Sequence, residues 1–357
     1  MRPSYLFTIF IFLFLGLGAI INPTENNFYN FIFFLLFSII VYLFLPFPSI
    51  NYKIQNNNIK ASLIFPFLYL FFFIIYGAPI FESNVEISRV QFSNNLGILN
   101  RILSVGMLLY AAQISENIKL QSFIHIILGV SVLYLTGFRS KIADFLLVFF
   151  FAYSLNNKIY INLKSILTLS LIGFSSLYLI ILQTASRMGV NTEEAIFIFF
   201  NRVFSVNWLF NIPRVNDYIN ANGLLNGTGY LSDFKSIFTN TLSMQEKVTS
   251  YFNSNENFIM TLTSYGESLL NFGELNLLFI PFVILFYFGL TFGVLMILLK
   301  LKELNPFRTM YLIVAIYAFC RYPVTGGYSN FLLVIMFPLL LTTPILILIN
   351  NINKLRL

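Results

Sequence analysis

The chain has a single cysteine, Cys320, and a single histidine, His125, and only 10% of its residues are charged. One cysteine excludes an intramolecular disulfide, and one cysteine with one histidine cannot assemble a Cys/His metal centre. Nothing in the sequence points to a metal held by carboxylates alone, so no metal and no cofactor are expected. P-loop, Rossmann glycine pattern and nucleophile elbow are also missing, which argues against ATP-driven work by this chain. The shortage of charge is the most informative of these deficits. A soluble domain carries about 25% charged residues. Here 58% of 357 residues are hydrophobic and the mean hydropathy is +0.80, too little polar surface to cover a water-soluble core.

What is present is aromatic and apolar: 44 Phe and 20 Tyr, spread along the whole chain. A spanning helix needs about 20 largely apolar residues. Such runs lie near 4–21, 28–45, 62–80, 98–114, 121–136, 142–156, 165–183, 275–299, 309–320 and 331–349, those at 142–156 and 309–320 being short. The first follows Arg2 without a small-residue cleavage site and reads as a retained helix. The expected fold is all-α: one polytopic integral membrane domain over 1–357, with about ten transmembrane helices. Lys and Arg in short loops stay on the cytoplasmic side. With the N-terminus inside, 11 cations and two acids lie inside, +9, and 10 cations and 12 acids lie outside, −2. Both termini are therefore read as cytoplasmic, and the basic balance belongs to the inner membrane face rather than to nucleic acid.

Eight of the 11 inner cations are Lys, whereas seven of the 10 outer ones are Arg: Arg89, Arg101, Arg139, Arg187, Arg202, Arg214 and Arg321. Lysine suffices as an anchor, while the guanidinium fork suits a two-pronged grip on phosphate or carboxylate. Pairing with the 12 outer acids is the plainer use of these arginines. A large outer loop is expected at 184–274, carrying interfacial helices, because Asn201 and Arg202 interrupt the apolar stretch Ala195–Phe210. Within it, 222–230 reads as a turn-rich surface segment.

Four outer clusters carry candidate chemistry. In TGFRSK, 136–141, Arg139 and Lys141 occupy a tight outer turn, against the positive-inside tendency. Arg187, Arg202 and Arg214 are spaced along the large loop. In SYGESLLNFGELN, 264–276, Glu267 and Glu274 stand where a helix meets the water-to-lipid boundary, next to Tyr265. A carboxyl there suits a general base, and a helix cap or an arginine partner is the competing role. In RYPVTGGYSN, 321–330, Arg321, Tyr322 and Tyr328 surround Gly326 and Gly327; the glycines would let a ligand approach the backbone, and the tyrosines would stack on sugars or form an aromatic belt. His125 reads as a packing residue.

The Thr136-Gly137-Phe138-Arg139-Ser140 turn, the arginine-bearing outer loop and the segment YGESLLNFGELNLLFIPF at 265–282 together resemble the Wzy-type polymerases of O-antigen and capsule repeat units. The family's paired Arg-x-Gly loop motifs have only a loose counterpart here, Arg214 with Gly223, Gly227 or Gly229. The related O-antigen ligases use an outer-loop histidine that this chain lacks. The resemblance implies a multi-pass glycosyltransferase of the bacterial inner membrane, acting on undecaprenyl-pyrophosphate-linked glycans, with membrane lipids, a chain-length regulator and a flippase as partners. For that chemistry the residues themselves offer Arg139 and Arg214 as candidates for catalysis and Glu267 as candidate base, needed for chemistry rather than folding. Arg187, Arg202, Arg321, Lys141, Tyr265, Tyr322 and Tyr328 are assigned to substrate and pyrophosphate. A lipid-linked oligosaccharide transporter is the main alternative, and it would place ionisable groups within helices along a pathway; a ligase and a non-catalytic scaffold are the others.

Overall fold

The structure, a computed structural model, describes residues 3–11, 25–48, 62–115, 120–156, 177–185, 189–204, 211–239, 241–252 and 262–355. Among these no strand occurs. The helices are α1 (Pro3–Phe10), α2 (Glu25–Phe44), α3 (Ile64–Tyr76), α4 (Val85–Leu96), α5 (Ile98–Ile114), α6 (Leu120–Leu135), α7 (Arg139–Asn156), α8 (Thr192–Phe204), α9 (Ile212–Asn222), α10 (Thr228–Phe238), α11 (Met244–Phe252), α12 (Ser264–Phe272), α13 (Asn276–Leu298), α14 (Arg308–Thr325), α15 (Gly327–Asn330) and α16 (Phe337–Leu355). A further helical stretch covers 177–185.

Among the described residues two continuous helical segments, Ser264–Leu298 and Gly327–Ile349, are long and apolar enough to cross a membrane. A third span is possible in geometry if α4 and α5 are taken together, but the pair is bent by 96° between Leu96 and Ile98. The bend is made at Gly97, whose φ of +53° is open to glycine at little cost. The apolar helices Ile32–Phe44, Ile64–Tyr76 and Ser122–Leu135 are shorter. Among the described residues the protein is thus all-helical, with helices apolar enough to cross a membrane. Of the ten expected runs, parts of those at 4–21 and 165–183 lie outside the described residues. Lipid is the natural neighbour for side chains such as Phe44, 83% exposed, and Ile74, 84% exposed, which water would not favour.

The residues divide into two compact units. One contains Ser49–Phe199, Ile297–Val314 and Pro338–Leu357. In it, α5 is buried over nearly its whole length against α3, α6 and α7. Glycine makes the close approaches: a Cβ on Gly106 would stand 2.1 Å from the Phe65 ring, and one on Gly129 2.4 Å from the Phe145 ring. Tyr311 is anchored on Thr342 by a 2.9 Å hydroxyl contact.

The other unit contains Met1–Pro48, Phe200–Met296 and Ala315–Phe337. Its core is aromatic. Phe7 stacks on Tyr42 at 3.5 Å, Phe319 meets Tyr42, Phe288, Phe292 and Phe331, and Tyr328 stacks on Tyr287 at 4.7 Å. The segment at 222–230, expected as a surface turn, does turn at Asn226 and Gly227, with φ of +48° and +81°. It is also docked: the amides of Leu225 and Asn226 donate to the carbonyls of Leu270 and Asn271 at the end of α12.

Candidate functional site

Two clusters, one in each unit, gather ionisable side chains. The first is built around the start of α7. Leu135 ends α6, and Thr136 closes the turn by donating from Oγ1 to the Leu133 carbonyl. Gly137 follows with φ +74°, and a Cβ there would press on Val85 and Arg89 of α4 at 3.2 and 3.5 Å. The turn therefore requires glycine for its backbone and for the approach of α4. Phe138 then projects as a platform. The Arg89 guanidinium lies 4.8 Å from its ring centroid and the Lys141 ammonium 4.6 Å.

Arg139 and Lys141 were expected in a loop; they sit in the first turn of a helix. Lys141 Nζ donates to Asn100 Oδ1 at 2.8 Å and to the Tyr69 hydroxyl at 3.1 Å. Asn100 is itself set by donation to Ser93 Oγ at 2.8 Å. Arg139 donates to Thr184 Oγ1, which belongs to the stretch 177–185. Arg89, Arg139 and Lys141 are all half-exposed, and Lys141 is held by neutral partners and a ring face. They gather at the N-terminal end of α7, where the helix dipole favours negative charge.

The second cluster centres on Glu267, which is fully buried in the first turn of α12. Its carboxylate accepts the amides of Tyr328 (2.7 Å, Oε2) and Ser329 (3.0 Å, Oε1), and Gln245 Nε2 (3.1 Å, Oε1). The same Gln245 nitrogen donates to the Gly326 carbonyl at 2.6 Å. Glu267 thus closes the start of the segment Gly327–Ile349, satisfying amides that a helix N-terminus leaves without intrahelical partners. The geometry is that of a helix cap, the role that competed with a general base. The nearby cavity, lined by Ser38, Ser264, Ser268 and Tyr328 among others, measures about 10 Å³, room for about one water and not for a sugar hydroxyl on its ring.

Asp233 on α10 belongs to the same cluster. It is wholly enclosed, accepts the Met244 amide at Oδ1 (2.7 Å), and leaves Oδ2 without a hydrogen bond. Burial pushes its carboxyl up to about 6, against the opposing pull of the Met244 amide, the Ser329 side chain and the Lys247 charge. The Ser329 hydroxyl lies near enough to favour the carboxylate without reaching hydrogen-bonding geometry at Oδ2.

The segment 321–330 is helical rather than an outer loop. α14 runs through Arg321 and Tyr322 to Thr325, and α15 begins at Gly327. Arg321 is buried beside the rings of Tyr317 and Tyr322, 6.0 and 5.6 Å from their centroids. Tyr328, 2% exposed, offers no open face to a sugar, and Tyr265 packs edge-on to Phe34. Gly327 does permit a close approach, but what approaches is Glu267, while a Cβ on Gly326 would meet the Asn330 side chain at 3.1 Å. Arg214 is half-exposed at the start of α9, over the Phe252 ring at 5.8 Å. Arg202 lies on α8, and Arg187 falls outside the described residues. Among the described residues no group of three or more His, Cys, Asp or Glu side chains is placed to hold a metal.

Sequence reasoning counted Arg89 among the outer arginines without placing it in the first cluster, and missed Tyr69 and Asn100 there and Asp233 and Gln245 in the second. For Arg89 a signal existed: Asn84 is a good N-cap residue, its side chain accepts the Ile87 amide at 3.1 Å, and it announces α4. No known protein family, curated protein or solved structure matches this chain.

Proposed function

We propose that this protein is a membrane glycosyltransferase of the Wzy polymerase type, which joins oligosaccharide repeat units carried on undecaprenyl pyrophosphate at the outer face of a bacterial inner membrane. The observation that carries the reading is the meeting of Arg89, Arg139 and Lys141 around Phe138 at the start of α7. In the reaction an acceptor hydroxyl oxygen attacks the anomeric carbon of the donor glycan, and the bond from that carbon to the lipid pyrophosphate breaks. The hydroxyl proton leaves with the pyrophosphate or to water. Negative charge grows on the leaving group, and fixed cations stabilise such charge more in the transition state than in the ground state. The two-pronged geometry of a guanidinium matches neighbouring phosphoryl oxygens. Glu267, engaged as a cap, is no longer the preferred base. Arg214 and Arg202 remain candidates for holding glycan or phosphate.

The test is reconstitution of the purified chain in vesicles with lipid-pyrophosphate-linked repeat units, followed by gel analysis of product length. A ladder made by the wild-type protein and lost in Arg139→Ala supports the reading. A folded wild-type protein that extends nothing sinks it.

Transport of the same lipid-linked glycans is the second reading, favoured by one specific finding: Asp144, Glu267 and Arg321 are buried on helices, and Lys141 is helical too. Buried ionisable groups on helices are what a transport pathway employs. Movement of a labelled lipid-linked glycan across the vesicle without change in its length would select this alternative.

A further inference from the structure

The enclosure formed by α10, α11, α12 and the start of α15 contains two carboxyls and several oxygens with no proton to accept. Every hydrogen bond to the Glu267 carboxyl comes from a neutral N–H, and the Asp233 carboxyl takes the Met244 amide at Oδ1 with the Ser329 hydroxyl close by. Lys247 acts on Asp233 only electrostatically, and Glu246 opposes it. The remaining titratable groups facing the pair are the phenols of Tyr230, Tyr287 and Tyr328. Among the described residues no Lys, Arg or His side chain hydrogen-bonds to either carboxyl.

Three enclosed oxygen atoms here lack a hydrogen-bond partner: Asp233 Oδ2, Gln245 Oε1 and the Tyr287 hydroxyl. Gln245, 1% exposed, is aimed at the cluster, since its Nε2 binds Glu267 and the Gly326 carbonyl and its Oε1 must lie within the same amide plane. Tyr287 stands within electrostatic range of both carboxyls. Two anionic carboxylates confined with no basic hydrogen-bond partner among the described residues are strongly disfavoured, and buried acceptors lacking a donor add to the cost. One bound positive charge relieves both.

We propose that Asp233 and Glu267 together hold one exchangeable monovalent cation, a proton or an alkali ion such as Na⁺, with Gln245 Oε1 as a neutral oxygen ligand. The site stands apart from the glycan chemistry proposed above and is tested without it. The backbone oxygens at the break between α14 and α15, the Gly326 carbonyl among them, resemble in chemistry the unwound backbone with which broken membrane helices bind cations.

The experiment follows thermal unfolding of the full chain in detergent in two arms. In one, Na⁺ replaces N-methylglucamine at fixed pH; in the other, pH varies with no alkali ion present. A midpoint rising by about 2 to 4 °C for each tenfold increase in Na⁺ identifies the alkali ion. A shift with pH alone identifies the proton. Asp233→Asn, which keeps the acceptor for the Met244 amide, should abolish the dependence while leaving a cooperative transition. An infrared band of a protonated carboxyl, present in the wild type and absent from Asp233→Asn, gives a second reading of the proton arm. Insensitivity of the wild type to both Na⁺ and pH overturns the proposal, and so does an undiminished response in Asp233→Asn.

Discussion

Gly327 and Glu267 are fitted to one another: a Cβ on Gly327 would lie 2.2 Å from Glu267 Oε1, and the glycine's φ is +74°. Any side chain at 327 would push out the carboxylate that closes the segment behind it.

Gly327→Ala should therefore fail twice, through a strained backbone worth about 1 to 2 kcal/mol and through loss of the cap. Glu267→Gln should also destabilise, since an amide keeps one acceptor oxygen and turns an N–H₂ toward a backbone N–H. Leaving a buried donor without its acceptor costs about 1 to 3 kcal/mol. Membrane abundance and detergent melting check both variants. Normal abundance and an unchanged melt for Glu267→Gln would return the residue to the role of catalytic base.

Arg139→Lys should impair polymerisation nearly as much as Arg139→Ala, about 100-fold, because a point charge does not reproduce a two-pronged grip on phosphate. Ladder length at equal protein abundance is the measure. Full rescue by lysine would reduce the requirement to charge.

The sign of the pH effect at Asp233 is set by its upward shift from 3.8 to about 6. The folded state holds this proton more tightly than the unfolded state, so its contribution to stability is complete below about pH 4. That contribution is lost as pH rises through about 6, a change of about 3 kcal/mol at most. In alkali-free buffer, Asp233→Asn should flatten the wild-type stability profile between these limits. A profile that keeps its slope would assign the effect to another group.

Orientation is checked by single cysteines in a Cys320→Ser background, Cys320 being buried. Lys302→Cys and Asn222→Cys both occupy exposed positions. A membrane-impermeant thiol reagent applied to intact cells should modify position 222 and spare 302. The reverse pattern would invert the topology.

The helical class and the membrane-spanning character were legible because they depend on composition and on long apolar runs, which need no tertiary partner. The turn at 136–138 was legible too, since Gly137 announces it. What escaped was every relation made across the fold. Nothing local tells Glu267 that its acceptor sites will be filled by amides 61 and 62 residues later. The pair Gly326-Gly327 was read as room for a ligand because glycine reveals that something comes close without naming it. Arg321 and Tyr328 were read as loop residues because the apolar run stops at Cys320 and two glycines follow; α14 nevertheless continues through Pro323 to Thr325.

Phenylalanine sets the terms on which this chain is free to vary. At Gly106 and Gly129 a ring occupies the volume that any other residue would need. Neither partner can drift alone: a larger residue at 106 demands a smaller one at 65, and trimming Phe65 first opens a void. Substitutions at 65 and 106, and at 129 and 145, should therefore be inherited as compensated pairs, so that in diverging descendants these four positions would record a shared history while the lipid-facing phenylalanines change independently.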